Sequence, residues 1–227
     1  MDADEVFDRS LVDEIKDRIP KLGTDIVAVN LKRKHVFMHR VIRHGGRYPL
    51  ILTRIWRNGK GRIEDRWMDE HIIVWGGGVV TFENYFSDYN LNDLDFFIDK
   101  HNKYSVREAI DVLNRKYNLF PQDNFIKNGA VRQARLKRLL KEFFYNNLPF
   151  GVGPLGYFIF RYFFQLGFLD GREGAMYHFL QGFWYRFLVD SKVYEYDRQI
   201  KKMKTRKDQM SKLESMTGCS FSKEGDV

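Results

Sequence analysis

The chain has a single cysteine, no internal repeat, no signal-peptide pattern and no apolar run of spanning length that is free of charge. Each absence narrows what it can be. One thiol, Cys219, supports neither a disulfide framework nor a cysteine-based zinc centre. A start on acidic residues is not a secretory leader, so a cytosolic setting or the cytosolic face of a membrane is expected. A spanning helix needs about 20 apolar residues with few charges. The closest stretch, 148–169, is broken by Pro149, Pro154, Arg161 and Gln165, which suits an interfacial or re-entrant pair of short helices better than a clean span.

What is present points elsewhere. At 227 residues, with 44% hydrophobic and 16% aromatic content, the chain can bury a core and is not disordered. That length suggests ~1–2 domains. The aromatics are Phe-rich and crowd into the second half. Thirty-eight Lys and Arg against 30 Asp and Glu leave a net charge of +8, which favours anionic partners: a membrane surface, nucleic acid or a phosphorylated substrate.

Periodicity divides the chain into two styles. Val6, Phe7, Leu11, Val12, Ile15 and Ile19 have helical spacing and predict a helix over 6–19, closed by Pro20 and Gly23. Runs at 26–37 and 50–56 read as strands, joined through a turn at Gly45-Gly46. Asn58-Gly59-Lys60-Gly61 predicts another turn, an extended stretch runs through 67–74, and Gly76-Gly77-Gly78 leads to a short strand at 79–82. The first ninety residues are therefore α/β. Helical patterns follow at 94–103, 106–117 and the basic 132–145, then the apolar 148–169 and an aromatic block at 179–189. Beyond Glu195 the chain reads as a charged tail without a core.

Asp2-Ala3-Asp4-Glu5 is an acid-x-acid triplet. Two carboxylates so spaced at the end of a strand can hold one Mg2+ or Mn2+ against a diphosphate, because these hard ions take one or two protein carboxylates plus phosphate oxygens. Such a site normally lies at the carboxyl edge of a nucleotide-binding sheet.

Further blocks follow in order: Arg43-His44-Gly45-Gly46-Arg47-Tyr48-Pro49, Arg54-Ile55-Trp56-Arg57, Trp67-Met68-Asp69-Glu70-His71, Asn90-Leu91-Asn92-Asp93-Leu94 and Asp99-Lys100-His101-Asn102-Lys103-Tyr104. Leu166-Gly167-Phe168-Leu169-Asp170-Gly171 and Phe179-Leu180-Gln181-Gly182-Phe183-Trp184-Tyr185-Arg186 complete the series. With the triplet, this resembles bacterial family 2 glycosyltransferases of the lipopolysaccharide, capsule and exopolysaccharide type, from Asp2 to about Tyr196.

The resemblance implies the C-terminal part of a GT-A (Rossmann-like) glycosyltransferase domain over 1–91, amphipathic membrane-interface helices over 92–198 and a polar tail over 199–227. It implies an inverting transfer from a nucleotide-sugar donor to a lipid-linked saccharide acceptor in envelope polysaccharide assembly, with Asp2 and Asp4 holding the metal on the donor diphosphate. Asp69 or Glu70 would be the general base. Neighbours on a strand face opposite ways, so only one of the two can serve, and the local spacing fits either. Arg43 and Arg47 are candidate phosphate contacts, and Gln181 and Arg186 candidate acceptor contacts at the membrane interface. His71 is expected to pack or hydrogen-bond. The family's nucleoside-binding half has no counterpart in 1–227, so this chain alone is expected to be inactive.

The implied location is peripheral, on the cytosolic face of the bacterial inner membrane, held by an anionic lipid surface with Arg161 reaching toward phosphates. The alternative is a non-catalytic basic protein that associates with membranes or nucleic acid. Nucleic acid is not expected as a partner, because the basic residues flank apolar helices instead of interleaving with aromatics on strands.

Overall fold

The computed structural model of the chain describes residues 4–64, 72–121 and 149–221. Asp2, Asp69, Glu70 and the basic stretch 132–145 lie outside the described residues. The chain forms two compact units: within the described residues, 4–64, 72–94 and 156–182 make the first, and 95–121, 149–155 and 183–221 the second. Residues 156–182 therefore group with the sheet, where the sequence-based division ran 1–91, 92–198 and 199–227.

The first unit is mixed α/β. Its strands are β1 (Glu5–Phe7), β2 (Ile26–Phe37), β3 (Arg40–Val41), β4 (Leu50–Trp56), β5 (Gly61–Ile63), β6 (Ile72–Val74) and β7 (Gly78–Tyr89). The main sheet runs β1-β7-β2-β3, with β4 also paired to β2, and β5 and β6 form a separate ribbon. β2 and β7 are parallel, and the other pairings of the main sheet are antiparallel. Helix α1 (Arg9–Arg18) lays Leu11 against Val29, Leu31, Phe82 and Phe86, the core of this unit. Each such side chain contributes about 1.5–3 kcal/mol on burial.

Two details depart from the periodic pattern. Val6 and Phe7 pair with Ser87 and Phe86 as strand, and extended Asp8 (ψ 146°) separates them from α1. The helix expected over 6–19 thus begins at Arg9. β7 runs twelve residues, not four, because Glu83, Asn84, Ser87 and Asp88 hide its apolar alternation. Its pairing with β2 shifts between Asn30 and Lys32, and the carboxylate of Glu14 on α1 accepts the freed amides of Glu83 (2.9 Å) and Asn84 (2.8 Å). Unpaired backbone donors need such partners when they leave a ladder.

In the second unit, α2 (Leu94–Tyr117) is one helix where two were expected, and Ser105, at the anticipated break, is buried with its hydroxyl donated to Asn102 O at 2.6 Å. Along the chain follow α3 (Val152–Ile159), a π-helical turn Phe160–Phe164, a short 3-10 turn Gly167–Asp170, α4 (Gly171–Tyr177) and a second π-helical turn His178–Trp184, of which residues 156–182 belong to the first unit; α5 (Tyr185–Ile200) and α6 (Arg206–Thr217) belong to the second. No helix among the described residues is long and apolar enough to cross a membrane.

The expectation of a coreless tail fails. Leu213 on α6 is fully buried with Ile110, Leu113 and Ile200, and Phe221 stacks on Phe120 at 5.0 Å. Met210, Leu213 and Met216 recur every three residues, one face of a helix hidden among charges. Thr205 caps α6 by accepting the Asp208 amide, and Gly218, at φ +68°, ends it.

Candidate functional site

Asp4 is placed by strand pairing. Its carbonyl accepts the Tyr89 amide at 2.9 Å, and the Asn90 amide donates to Val36 O at 3.0 Å. β1 runs antiparallel to β7, so the start of β1 lies beside the ends of β7 and β2. Asp4 thus stands at the carboxyl edge of a parallel strand pair, where ligands of open α/β sheets bind.

Beside it the chemistry is ionic. The buried Glu5 carboxylate pairs with Arg54, whose guanidinium lies 5.6 Å from the Phe86 ring centroid. Asp88 takes Arg33 at 3.1 Å and His35 at 3.3 Å. A carboxylate donor at this edge suits a hard divalent ion, and Asp4 is the described member of the proposed pair. Among the described residues no group of three or more His, Cys, Asp or Glu side chains is placed to hold a metal.

Arg43 is exposed at the start of a turn in which Gly45 and Gly46 have φ of +78° and +74°. Arg47 is half-buried on the far side of that turn. Next to it, Tyr48 stacks on Tyr85 with centroids 5.9 Å apart, and the Lys34 ammonium lies 4.9 Å from the Tyr85 ring centroid. Burial, then the Tyr85 hydrogen bond, pushes the Tyr48 phenol up.

The turn is gripped by polar groups from 161–178. Asp170, almost fully buried, accepts the His44 amide at 2.8 Å and binds His44 Nδ1 at 2.7 Å. That contact fixes the orientation of the ring, with Nδ1 turned toward the carboxylate. The Gly45 amide donates to Gln165 O at 2.9 Å, and Arg161 Nε donates to Gly45 O at 2.8 Å. Arg161 Nη1 donates to Gln181 Oε1 at 2.8 Å. Its guanidinium lies 5.3 Å from the Tyr157 and 5.8 Å from the Tyr177 ring centroid. His178, fully buried, has Nε2 3.8 Å from Asp170 Oδ2. Burial first, and the Arg161 charge second, lower its pKa to about 4, so the ring is neutral.

The expectation that Arg161 reaches toward lipid phosphates is overturned. Its side chain is 1% exposed and spent on Gly45 and Gln181. A cation in an apolar run reaches for water or for carbonyl oxygens, and here a carbonyl is closer.

No family model, no curated protein and no solved structure matches this chain.

Of the residues singled out from sequence, Gln181 meets the Arg43–Arg47 turn through Arg161, whereas Arg186 belongs to the second unit and pairs there with Glu108, which also accepts the Tyr185 hydroxyl at 2.6 Å. Sequence reasoning missed His44, Asp170 and His178. Their signal was there: polar groups inside or facing an apolar run must find one another.

Proposed function

We propose that this chain carries the metal-binding and acceptor-side part of an inverting GT-A glycosyltransferase, acting on a nucleotide-sugar donor and a lipid-linked envelope saccharide at the cytosolic face of a bacterial inner membrane. The observation that carries this reading is the position of Asp4 at the carboxyl edge of the parallel β2–β7 pair. Support also comes from the exposed Arg43 at a turn fastened by His44 and Asp170.

In this reading Asp2 and Asp4 hold Mg2+ or Mn2+, which when bound offsets charge on the departing nucleoside diphosphate. The acceptor hydroxyl attacks the anomeric carbon while Asp69 or Glu70 takes its proton, inverting the centre in one displacement. Arg43 and Arg47 bind the phosphate of the acceptor.

The test uses protein isolated from its native cells, with Asp4→Ala, Asp69→Asn and Glu70→Gln introduced at the chromosomal locus. Asp4→Ala abolishes metal-dependent donor binding. One amide variant keeps donor binding and loses ~10²–10⁴-fold in turnover, the usual weight of one acid–base group. Metal-independent donor binding unchanged by Asp4→Ala, or two amide variants at wild-type rates, defeats the reading.

A further inference from the structure

Segment 156–182 is sorted inside out. Its polar and charged side chains Arg161, Asp170 and His178 are buried, while Phe160, Phe163, Phe164, Phe168, Leu169 and Phe179 are exposed. Phe164 reaches 74% exposure, three positions from Arg161 at 1%. Water would impose the reverse arrangement, and contiguous apolar patches beyond a few hundred Å2 are rare on soluble surfaces. The π-helical turn Phe160–Phe164 presents three phenylalanines outward while turning Arg161 in toward Gly45. The only charged residue of this segment that is fully on the outside is Arg172.

We propose that this face is a docking platform that seats in the headgroup–acyl boundary of an anionic lipid bilayer. Three observations select lipid. A protein partner is normally matched by about one hydrogen bond per 100–200 Å2, and these side chains offer none. No described helix is long and apolar enough to cross a membrane, and aromatic side chains favour the boundary region. The segment carries the exposed Arg172, three residues after Leu169, and near it the exposed Arg40, whose guanidinium lies over Gly171 and pairs with Glu173 at 3.6 Å. These match anionic headgroups, as does the net charge of +8. The same segment grips the Arg43–Arg47 turn from its inner side, so docking holds that turn near the lipid surface. The inference names the face that would hold the membrane location proposed above and rests on that location. It does not rest on transfer, because its observations are the sorting of side chains and the cations near them.

Flotation of the full chain with phosphatidylcholine vesicles, with and without phosphatidylglycerol, tests it; no donor or acceptor is present, so the outcome does not depend on transfer. Wild type floats, and more strongly with phosphatidylglycerol. Phe163→Asp with Phe164→Asp leaves the protein at the bottom of the gradient with unchanged circular dichroism, since both side chains are exposed. Arg40→Gln with Arg172→Gln removes the anionic increment, roughly 5-fold in partitioning per arginine. A wild type that ignores vesicles, or a double aspartate variant that floats equally well, overturns the proposal. So does a dimer in light scattering that the double aspartate variant abolishes while wild type fails to float, which would make the face an interface between two copies.

Discussion

A Cβ on Gly45 would sit 2.1 Å from Cε1 of His178. The imidazole occupies the space a side chain there would need, and its opposite edge lies 2.7 Å from the Cβ position of Gly167. Two glycines far apart in sequence thus make the slot for one buried ring, and the turn bearing Arg43 and Arg47 is fastened through it.

Gly45→Ala is expected to destabilise the chain well beyond its backbone cost. The left-handed φ of +78° alone costs about 1–2 kcal/mol for a non-glycine residue, and overpacking against His178 adds about 1–3 kcal/mol. Gly59→Ala is the control, at φ +72° with nothing within 4 Å of its Cβ, and should show only the backbone part. Urea denaturation compares the two, and equal losses would refute the slot.

His178 sets an acid window. Burial and the neighbouring Arg161 hold its pKa near 4, against an ordinary 6.5. As pH falls through 6.5 the unfolded chain gains a proton that the native ring refuses until about pH 4, so stability declines across that interval, on the order of 3 kcal/mol in full. His178→Asn should be less stable at pH 7.5 yet show a shallower decline between pH 6.5 and 4 in thermal melts.

Glu14 sets a lower window. Burial works to raise its pKa, but the amides of Glu83 and Asn84, the Asn84 side chain and Arg18 together outweigh burial and bring it to about 2 from 4.5. Stability from this clip is complete above pH 4.5 and is lost as pH falls toward 2. Glu14→Gln should cost about 1.5–3 kcal/mol at neutral pH, the range for hydrogen bonds to a charged group. The deficit should shrink below pH 3; a constant deficit would place the effect in packing instead.

Asp190 acts in the opposite direction. Burial lifts its pKa to about 6 despite the Arg186 charge and the Gly151 amide. The native state holds this proton more tightly than the unfolded chain, whose value is near 3.8, so stability declines as pH rises between them. Asp190→Asn should therefore gain about 1–2 kcal/mol over wild type at pH 7.5 and nothing at pH 3.5, read from paired urea titrations.

Strands β2 and β4 and the turns at Gly45-Gly46 and Gly59 follow from local pattern, since alternation and glycine act within a few residues. β7 and α6 were harder to read. Their apolar positions are sparse among polar ones and become a face only when Phe82, Phe86 or Leu213 finds a partner from a distant segment. Asp4 was legible as a candidate ligand, but its place at the carboxyl edge depends on Tyr89, far along the chain.

Composition and spacing by themselves determined the α/β character of the first ninety residues, the basic charge and the aromatic load of the second half. These are properties of single windows, and no long-range contact is needed to read them. Only the tertiary structure decided which way the side chains of 156–182 point. Helical periodicity leaves the apolar stripe free to face a core or a solvent. The buried Arg161 and Asp170 settle the choice, because desolvated polar groups must pair, and their partners at Gly45 and His44 lie on the inner side. The phenylalanines are left outside.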